Sequence, residues 1–143
     1  MFKKLFLGML IVVTSISGIV LAQETRGSDE KKISLEATQT WLALADNGKY
    51  DQTWKTAAEY FKGLVPQAQW QSKIQAIRQS FGSLISRNLK TQDYKNSLPG
   101  APDGEYYILI FDSSFTNKKE AVETVTVMKG KDGLWRSAGY YIK

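Results

Sequence analysis

The sequence contains no histidine and no cysteine among its 143 residues. These two absences exclude a Ser-His-Asp triad, a cysteine nucleophile, a histidine general base and zinc sites of the ordinary type. They also exclude disulfide bonds and thiol redox chemistry. We therefore expect neither a metal nor any other cofactor. We also expect packing alone to stabilise the fold, with four Trp, seven Tyr and six Phe as its main source.

The amino terminus has the three-part layout of a secretory signal peptide. Lys3 and Lys4 precede an uncharged apolar run over residues 5–21, and Val20 and Ala22 occupy the positions that signal peptidase reads. We predict cleavage after Ala22, which makes the protein periplasmic or secreted. The apolar run is also long enough for an uncleaved membrane anchor, although serine and glycine dilute it, and the anchor stays the alternative.

The charge that remains after cleavage bears on the class of partner. Removing residues 1–22 takes two lysines from the 19 basic residues and none of the 14 acidic ones, which leaves a net charge of +3. This excess is too small to indicate a nucleic-acid-binding protein, and we expect no membrane contact after cleavage. Residues 23–29 are polar and aperiodic, so we predict a flexible leader there. Residues 30–143 have the usual size of one domain.

Apolar residues at helical spacing predict three helices in the first half of the chain. The first helix ends at Asn47-Gly48, the second starts at Asp51, and the third has Pro66 in its first turn. The apolar faces of the three predicted helices consist of Ile33, Ala37, Trp41, Leu44 and Ala45, then Trp54, Ala57, Ala58 and Phe61, then Trp70, Ile74, Ile77 and Phe81.

After Gly82 the pattern changes to a period of two, which is typical of strands. The predicted strands cover residues 84–92, 106–111, 120–128 and 134–142. A loop rich in proline and glycine precedes the second strand, and Asp132-Gly133 predicts a hairpin before the fourth. Helices followed by strands in so short a chain predict an α+β fold, in which three helices pack on one face of a curved four-stranded antiparallel meander.

Several short segments, taken in their order along the chain, carry a family resemblance. These segments are Trp41-Leu42, Asp46-Asn47-Gly48-Lys49-Tyr50, Trp54, Ser86-Arg87, Leu98-Pro99-Gly100, Pro102-Asp103-Gly104-Glu105-Tyr106, Glu123-Thr124, Gly133-Leu134-Trp135-Arg136 and Gly139-Tyr140. Together they resemble the bacterial exported family known as domain of unknown function 4019. The helix-then-meander plan is also similar to the cystatin-like and nuclear-transport-factor-2-like cone folds. The resemblance implies export and an α+β fold, and it implies no particular activity.

Successive side chains of a strand point to opposite faces of the sheet, so odd and even positions lie on different faces. This strand parity predicts a candidate ligand-binding site on the concave face of the sheet. Any hairpin loop with an even number of residues puts Glu123 on the same face as Arg136 and Tyr140. Charged and tyrosine side chains also alternate with apolar ones on the first two strands. An arginine could bind an anionic group there with two parallel hydrogen bonds, while a glutamate and a tyrosine orient that group. The predicted site consists of Arg87, Glu105, Tyr107, Glu123, Arg136 and Tyr140.

Two structural alternatives to this site remain open. The same charges could form structural ion pairs, or they could lie at the water-exposed edge of the sheet. The opposite face, which includes Val122, Met128 and Tyr141, is apolar enough that the two faces could also be reversed.

Three functions fit these observations. The first is a non-catalytic binding or accessory module for a small ligand or an envelope protein. The second is an isomerase or dehydratase of the cone-fold type, with Glu123 as base and Tyr140 as hydrogen-bond donor. The third is an inhibitor or structural protein that docks a target through residues 98–104 or through a sheet edge. The scarcity of catalytic side chains favours the first.

Overall fold

The chain folds into helices first and strands second, as the change of period predicts. The structure is a computed structural model, and it describes residues 17–143. The elements are α1 (Ser17–Asp46), α2 (Tyr50–Lys55), α3 (Glu59–Leu64), α4 (Gln67–Phe81), β1 (Leu84–Lys95), β2 (Tyr106–Phe115), β3 (Lys118–Lys129) and β4 (Trp135–Ile142). The four strands form one open antiparallel sheet in the order β1-β2-β3-β4. The predicted α+β fold with a meander sheet is confirmed.

The first helix begins earlier than its apolar spacing suggests. Residues 23–29, predicted as a flexible leader, are helical and exposed within α1. This segment has no proline, and its single glycine weakens a helix without ending it, so nothing in it stops α1. Of the predicted signal peptide, residues 1–16 lie outside the described residues. No helix within residues 17–143 is long and apolar enough to cross a membrane.

The second predicted helix is divided into α2 and α3. The division falls at Ala58, whose extended backbone has φ −59° and ψ 144°. The backbone N–H of Ala58 donates to the carbonyl of Ser137 in β4 at 2.8 Å, so it is not available for a helical bond. The predicted end of the first helix is confirmed, because Gly48 follows it with φ near +72°, and Gly82 follows α4 in the same way with φ near +81°.

The core lies between the helices and one face of the sheet, and aromatic side chains dominate it. Two of the buried indoles donate hydrogen bonds to Thr53, from Trp41 to its carbonyl and from Trp70 to its hydroxyl, each at 2.9 Å. The buried side chains that form this core include Trp41, Leu42, Phe61, Trp70, Ile74, Tyr107, Leu109, Phe111, Val125, Val127 and Trp135. Aromatic packing, expected from composition, is therefore the main feature of the interior.

The buried face of α1 is turned by about one residue from the predicted one. Ile33, which was expected in the core, is 49 % exposed, whereas Ser34 and Thr38 are fully buried. The hydroxyl of Ser34 donates to the carbonyl of Lys31 and accepts from the side-chain amide of Gln92 in β1. These hydrogen bonds satisfy small polar side chains at the contact between α1 and the sheet, so the helix can pack there without a large apolar residue.

The register of the last hairpin changes along its length. Near the turn, Met128 lies opposite Arg136, so Arg136 projects from the face opposite that of Val127. The predicted placement of Arg136 on the face of Glu123 is therefore wrong, because residues 130–134 give the turn an odd number of residues. Beyond the turn, an extra residue at Ala138 shifts the pairing. This bulge returns Tyr140 to the buried face that carries Glu123.

Candidate functional site

Glu123 lies in the middle of β3, fully buried beneath the helices. Arg87 donates to it from Nε to Oε1 at 2.7 Å and from Nη2 to Oε2 at 3.1 Å. The Ser113 hydroxyl donates to Oε1 at 2.6 Å, and the Tyr140 hydroxyl donates to Oε2 at 2.6 Å. A carboxylate has about four acceptor positions, so the described neighbours of Glu123 occupy all of them.

Arg87 also bonds to a second carboxylate, that of Asp46 at the end of α1. Its Nη1 lies 2.8 Å from Oδ2, and its Nη2 lies 2.9 Å from Oδ1. Arg78 of α4 donates to the same Oδ1 at 2.6 Å, and its guanidinium stacks on the ring of Phe115. Two arginines therefore face two acidic residues. We call Asp46, Arg78, Arg87 and Glu123 the buried ion-pair network.

The pKa values in this network follow from burial and from its hydrogen bonds. Burial alone would raise the pKa of Asp46, but hydrogen bonds from Arg87 and Arg78 outweigh it and lower the pKa. Burial alone would lower the pKa of Arg87, but hydrogen bonds to Asp46 and Glu123 outweigh it and raise the pKa. Burial and the neighbouring Glu123 both raise the pKa of Tyr140. At neutral pH, Tyr140 is therefore a neutral donor.

The structure brings together three of the six residues predicted for the concave site. Arg87, Glu123 and Tyr140 meet within the buried ion-pair network. Their side chains are bonded to one another, which corresponds to the alternative of structural ion pairs.

The other three predicted residues lie elsewhere. Glu105 is exposed just before β2, 3.9 Å from the ammonium of Lys129. Tyr107 is on the buried face, as predicted, but it packs against Tyr94 and Trp135 at the other end of the sheet. Its pKa is raised, first by burial and then by the nearby charge of Glu30. The third, Arg136, lies in the groove described below.

Residues that strand parity did not single out complete the network. Arg78 follows Trp70 and Ile74 at intervals of four on α4, so helical spacing was the available signal for its burial. Ser113 continues the alternation of Leu109 and Phe111 on β2. Asp46 had no comparable signal, because it directly precedes Asn47-Gly48 and its position is explained by the helix end alone.

A groove of about 710 Å³ opens between the α2–α3 segment and the β3–β4 hairpin. Its floor is mainly apolar, with Ala57, Ala58, Tyr60 and Met128. Its rim carries four basic and two acidic side chains, which are Lys55, Lys62, Lys131, Arg136, Glu59 and Asp132. We call this site the cationic groove.

The rim charges of the cationic groove are close to solvent. Arg136 donates to both oxygens of Asp132, at 3.0 Å and 2.7 Å, and these bonds lower the pKa of Asp132 to about 2. Lys62 lies 2.6 Å from Glu59. Lys131 forms no ion pair with the residues that the structure describes. The rim thus carries a positive excess of charge near solvent, in contrast to the buried ion-pair network.

Residues 37–140 match the model of a family described as "Protein of unknown function (DUF4019)". No curated protein and no solved structure matches the chain. The matched region contains both the buried ion-pair network and the cationic groove.

Proposed function

Because the chain belongs to the DUF4019 family, whose description names no activity, we propose its function from the geometry: a non-catalytic module that binds a small amphipathic anion in the cationic groove. The observation that carries the proposal is a positive excess of rim charge over an apolar floor in an open groove of about 710 Å³. A ligand with an anionic head and an apolar body matches both parts of this surface.

Arg136 is the residue best placed to bind the anionic head. Its planar guanidinium already holds the carboxylate of Asp132 with two hydrogen bonds. A ligand carboxylate or phosphate can bind Arg136 beside Asp132 or in its place, because either group presents a pair of acceptor oxygens like that of Asp132. Lys131 and Lys62 add positive charge at the rim, and Met128 gives the floor an adaptable apolar surface.

The binding role has more support than the alternative of an isomerase or dehydratase. That alternative requires Glu123 to accept a proton from a substrate while Tyr140 donates a hydrogen bond to it. Glu123 is fully buried, and its acceptor positions are taken by Arg87, Ser113 and Tyr140. A substrate could reach it only by displacing these partners.

We further propose that this module acts outside the cytoplasm. The proposal rests on the basic residues, apolar run and Ala22 cleavage position at the amino terminus. A small amphipathic anion or an envelope protein that presents one is the class of partner that this setting would offer.

The test uses a fluorescent anion and a competing pair of surfactants. The protein is mixed with 8-anilinonaphthalene-1-sulfonate, and decanoate or decylammonium is added. We expect decanoate to displace the dye and decylammonium to fail, because the rim is positive. Equal displacement by the two surfactants would contradict the proposal.

Variants of the rim locate the binding site within the same assay. Arg136→Gln should weaken decanoate binding by about tenfold, the value of one charged bidentate contact. Glu59→Gln removes a competing carboxylate from the rim and should strengthen binding. Lys119→Gln, an exposed change outside the groove, is the matched control. If Arg136→Gln and Lys119→Gln behave alike, the groove is not the site.

A further inference from the structure

β4 ends the sheet, and part of its outer edge has no backbone partner within residues 17–143. Val122 of β3 and Lys143 exchange two backbone hydrogen bonds, at 2.9 Å and 3.1 Å. Bonded and non-bonded pairs alternate along an antiparallel ladder, so Tyr140 and Ile142 point their backbone N–H and C=O groups away from β3. No other backbone group within residues 17–143 bonds to them. The edge therefore offers donors and acceptors at the spacing that an added strand requires.

The chain itself already uses this edge at one position. The N–H of Ala58 donates to the carbonyl of Ser137 at 2.8 Å, on the side of β4 that faces away from β3. This contact closes the edge near the hairpin, and α3 then leads the chain away from it. Beyond the bulge at Ala138, where the pairing of β4 with β3 is regular again, none of the described residues covers the edge.

A second groove runs beside the open part of the edge, between α4 and the end of β4. It has a volume of about 580 Å³, and its lining is mostly apolar, with Ile74 and Ile77 from the helix and Tyr141 from the strand. Ile77 is 37 % exposed and Tyr141 is 63 % exposed. Lys73 lies at the rim and forms no ion pair with the described residues. We call this site the edge groove.

We propose that the edge groove binds an extended acidic segment of a partner protein by strand addition. The backbone of the segment pairs with Tyr140 and Ile142, one apolar side chain enters the groove beside Ile77, and an acidic side chain pairs with Lys73. Main-chain hydrogen bonds supply affinity in this mode, while alternate side chains supply specificity. This site is separate from the cationic groove and accepts a different class of partner.

The other edge of the sheet is protected against such pairing. β1 has register shifts at Ile85 and Lys90, and it exposes charged side chains along its length. Bulges and charges of this kind keep edge strands from pairing with other chains. A second copy of the chain suits the β4 edge less well than an acidic segment, because it would bring the Lys73-bearing helices of both copies together and raise the positive charge there.

The test uses two capped seven-residue peptides, Ser-Val-Ser-Glu-Ser-Val-Ser and Ser-Val-Ser-Lys-Ser-Val-Ser, in which the valines and the charged residue share one face of the strand. Each is titrated into the ¹⁵N-labelled protein, and the amide signals are followed by NMR. We expect the glutamate peptide to shift the amides of Tyr140 and Ile142 and to bind about threefold more tightly than the lysine peptide. Lys73→Glu should reverse that preference. Shifts confined to the cationic groove, or concentration-dependent shifts without peptide, would overturn the proposal.

Two further changes test the backbone contacts separately from charge. N-methylation of the peptide amides that face β4 should abolish binding, whereas N-methylation of the alternate amides should leave it intact. Ile142→Pro removes an N–H that the β3–β4 ladder does not use, so it should also abolish binding. Equal binding by the two N-methylated peptides would overturn the proposal even if Ile142→Pro fails to fold. Decanoate binding, measured on the same samples, reports separately on the cationic groove.

Discussion

Arg87 holds Glu123 with two hydrogen bonds from one guanidinium, Nε to Oε1 at 2.7 Å and Nη2 to Oε2 at 3.1 Å. The same guanidinium bonds to Asp46, so one side chain of β1 connects β3 with the end of α1. A ligand that entered between the helices and the sheet would have to break this connection. The space between the helices and the sheet is therefore closed at this point, and the two grooves proposed as binding sites lie near the two ends of β4.

Glu123→Gln should destabilise the fold by about 3–5 kcal/mol, because it leaves the guanidinium of Arg87 only partly compensated. Urea unfolding followed by circular dichroism measures the change. Glu120→Gln is the matched control, since Glu120 is an exposed glutamate of the same strand and should change stability by less than about 0.5 kcal/mol. Equal stability of the two variants would show that the network contributes little.

Asp46→Asn should flatten the loss of stability in acid. The pKa of Asp46 is lowered in the folded state, so its contribution is full above the unfolded value of about 3.9 and is lost as the pH falls through the lower folded value. The urea midpoint, measured between about pH 5 and pH 2, should fall less steeply in the variant. The same slope in variant and wild type would contradict the stated role of Asp46.

Tyr140→Phe should cost about 1.5–3 kcal/mol, the typical value of a hydrogen bond to a charged group. The aromatic contact with Trp41, with ring centroids 5.3 Å apart, is retained. The pKa of Tyr140 is raised, so its stabilisation is full below the unfolded value of about 10 and is lost as the pH rises above it. The variant should therefore lose part of the alkaline decline in its urea midpoint.

Tyr141→Phe is the matched control for that experiment. Tyr141 is the next residue of β4, its side chain is 63 % exposed, and its hydroxyl makes no hydrogen bond within residues 17–143. The control should keep the stability of the wild type. A similar loss in Tyr140→Phe and Tyr141→Phe would indicate a general effect of removing a tyrosine hydroxyl from β4.

The sequence predicted the fold class well because the two halves of the chain differ in period. Trp70 and Ile74 lie four residues apart on α4, whereas Leu109 and Phe111 lie two residues apart on β2, and each spacing follows from which side of the element is buried. The division at Ala58 was not predictable in this way. It depends on a hydrogen bond to Ser137, about 80 residues further along the chain.

The candidate site was predicted only in part, because parity is reliable only while the register is unbroken. The odd hairpin turn moved Arg136 to the outer face, and the bulge at Ala138 returned Tyr140 to the inner one. The predicted contact between Glu123 and Tyr140 therefore holds for a reason that parity alone did not contain. Asp46 and Arg78 reach the same point from separate helices, which strand patterns cannot show.

The proposed export predicts the amino terminus of the protein isolated from its natural source. Cleavage after Ala22 leaves Gln23 as the first residue. Intact-mass measurement of protein recovered from the periplasm or the medium should give the mass of residues 23–143. Protein recovered from the cytosol with residues 1–22 still attached would contradict the proposed export.

The most direct test of the central claim compares two arginine side chains in one NMR titration. The claim is that Arg87 is held by its hydrogen bonds to Glu123 and Asp46, while Arg136 in the cationic groove is available to a ligand. When decanoate is added to the ¹⁵N-labelled protein, the side-chain Nε–H signal of Arg136 should shift and that of Arg87 should stay in place. A shift of the Arg87 signal with Arg136 unchanged would contradict the account.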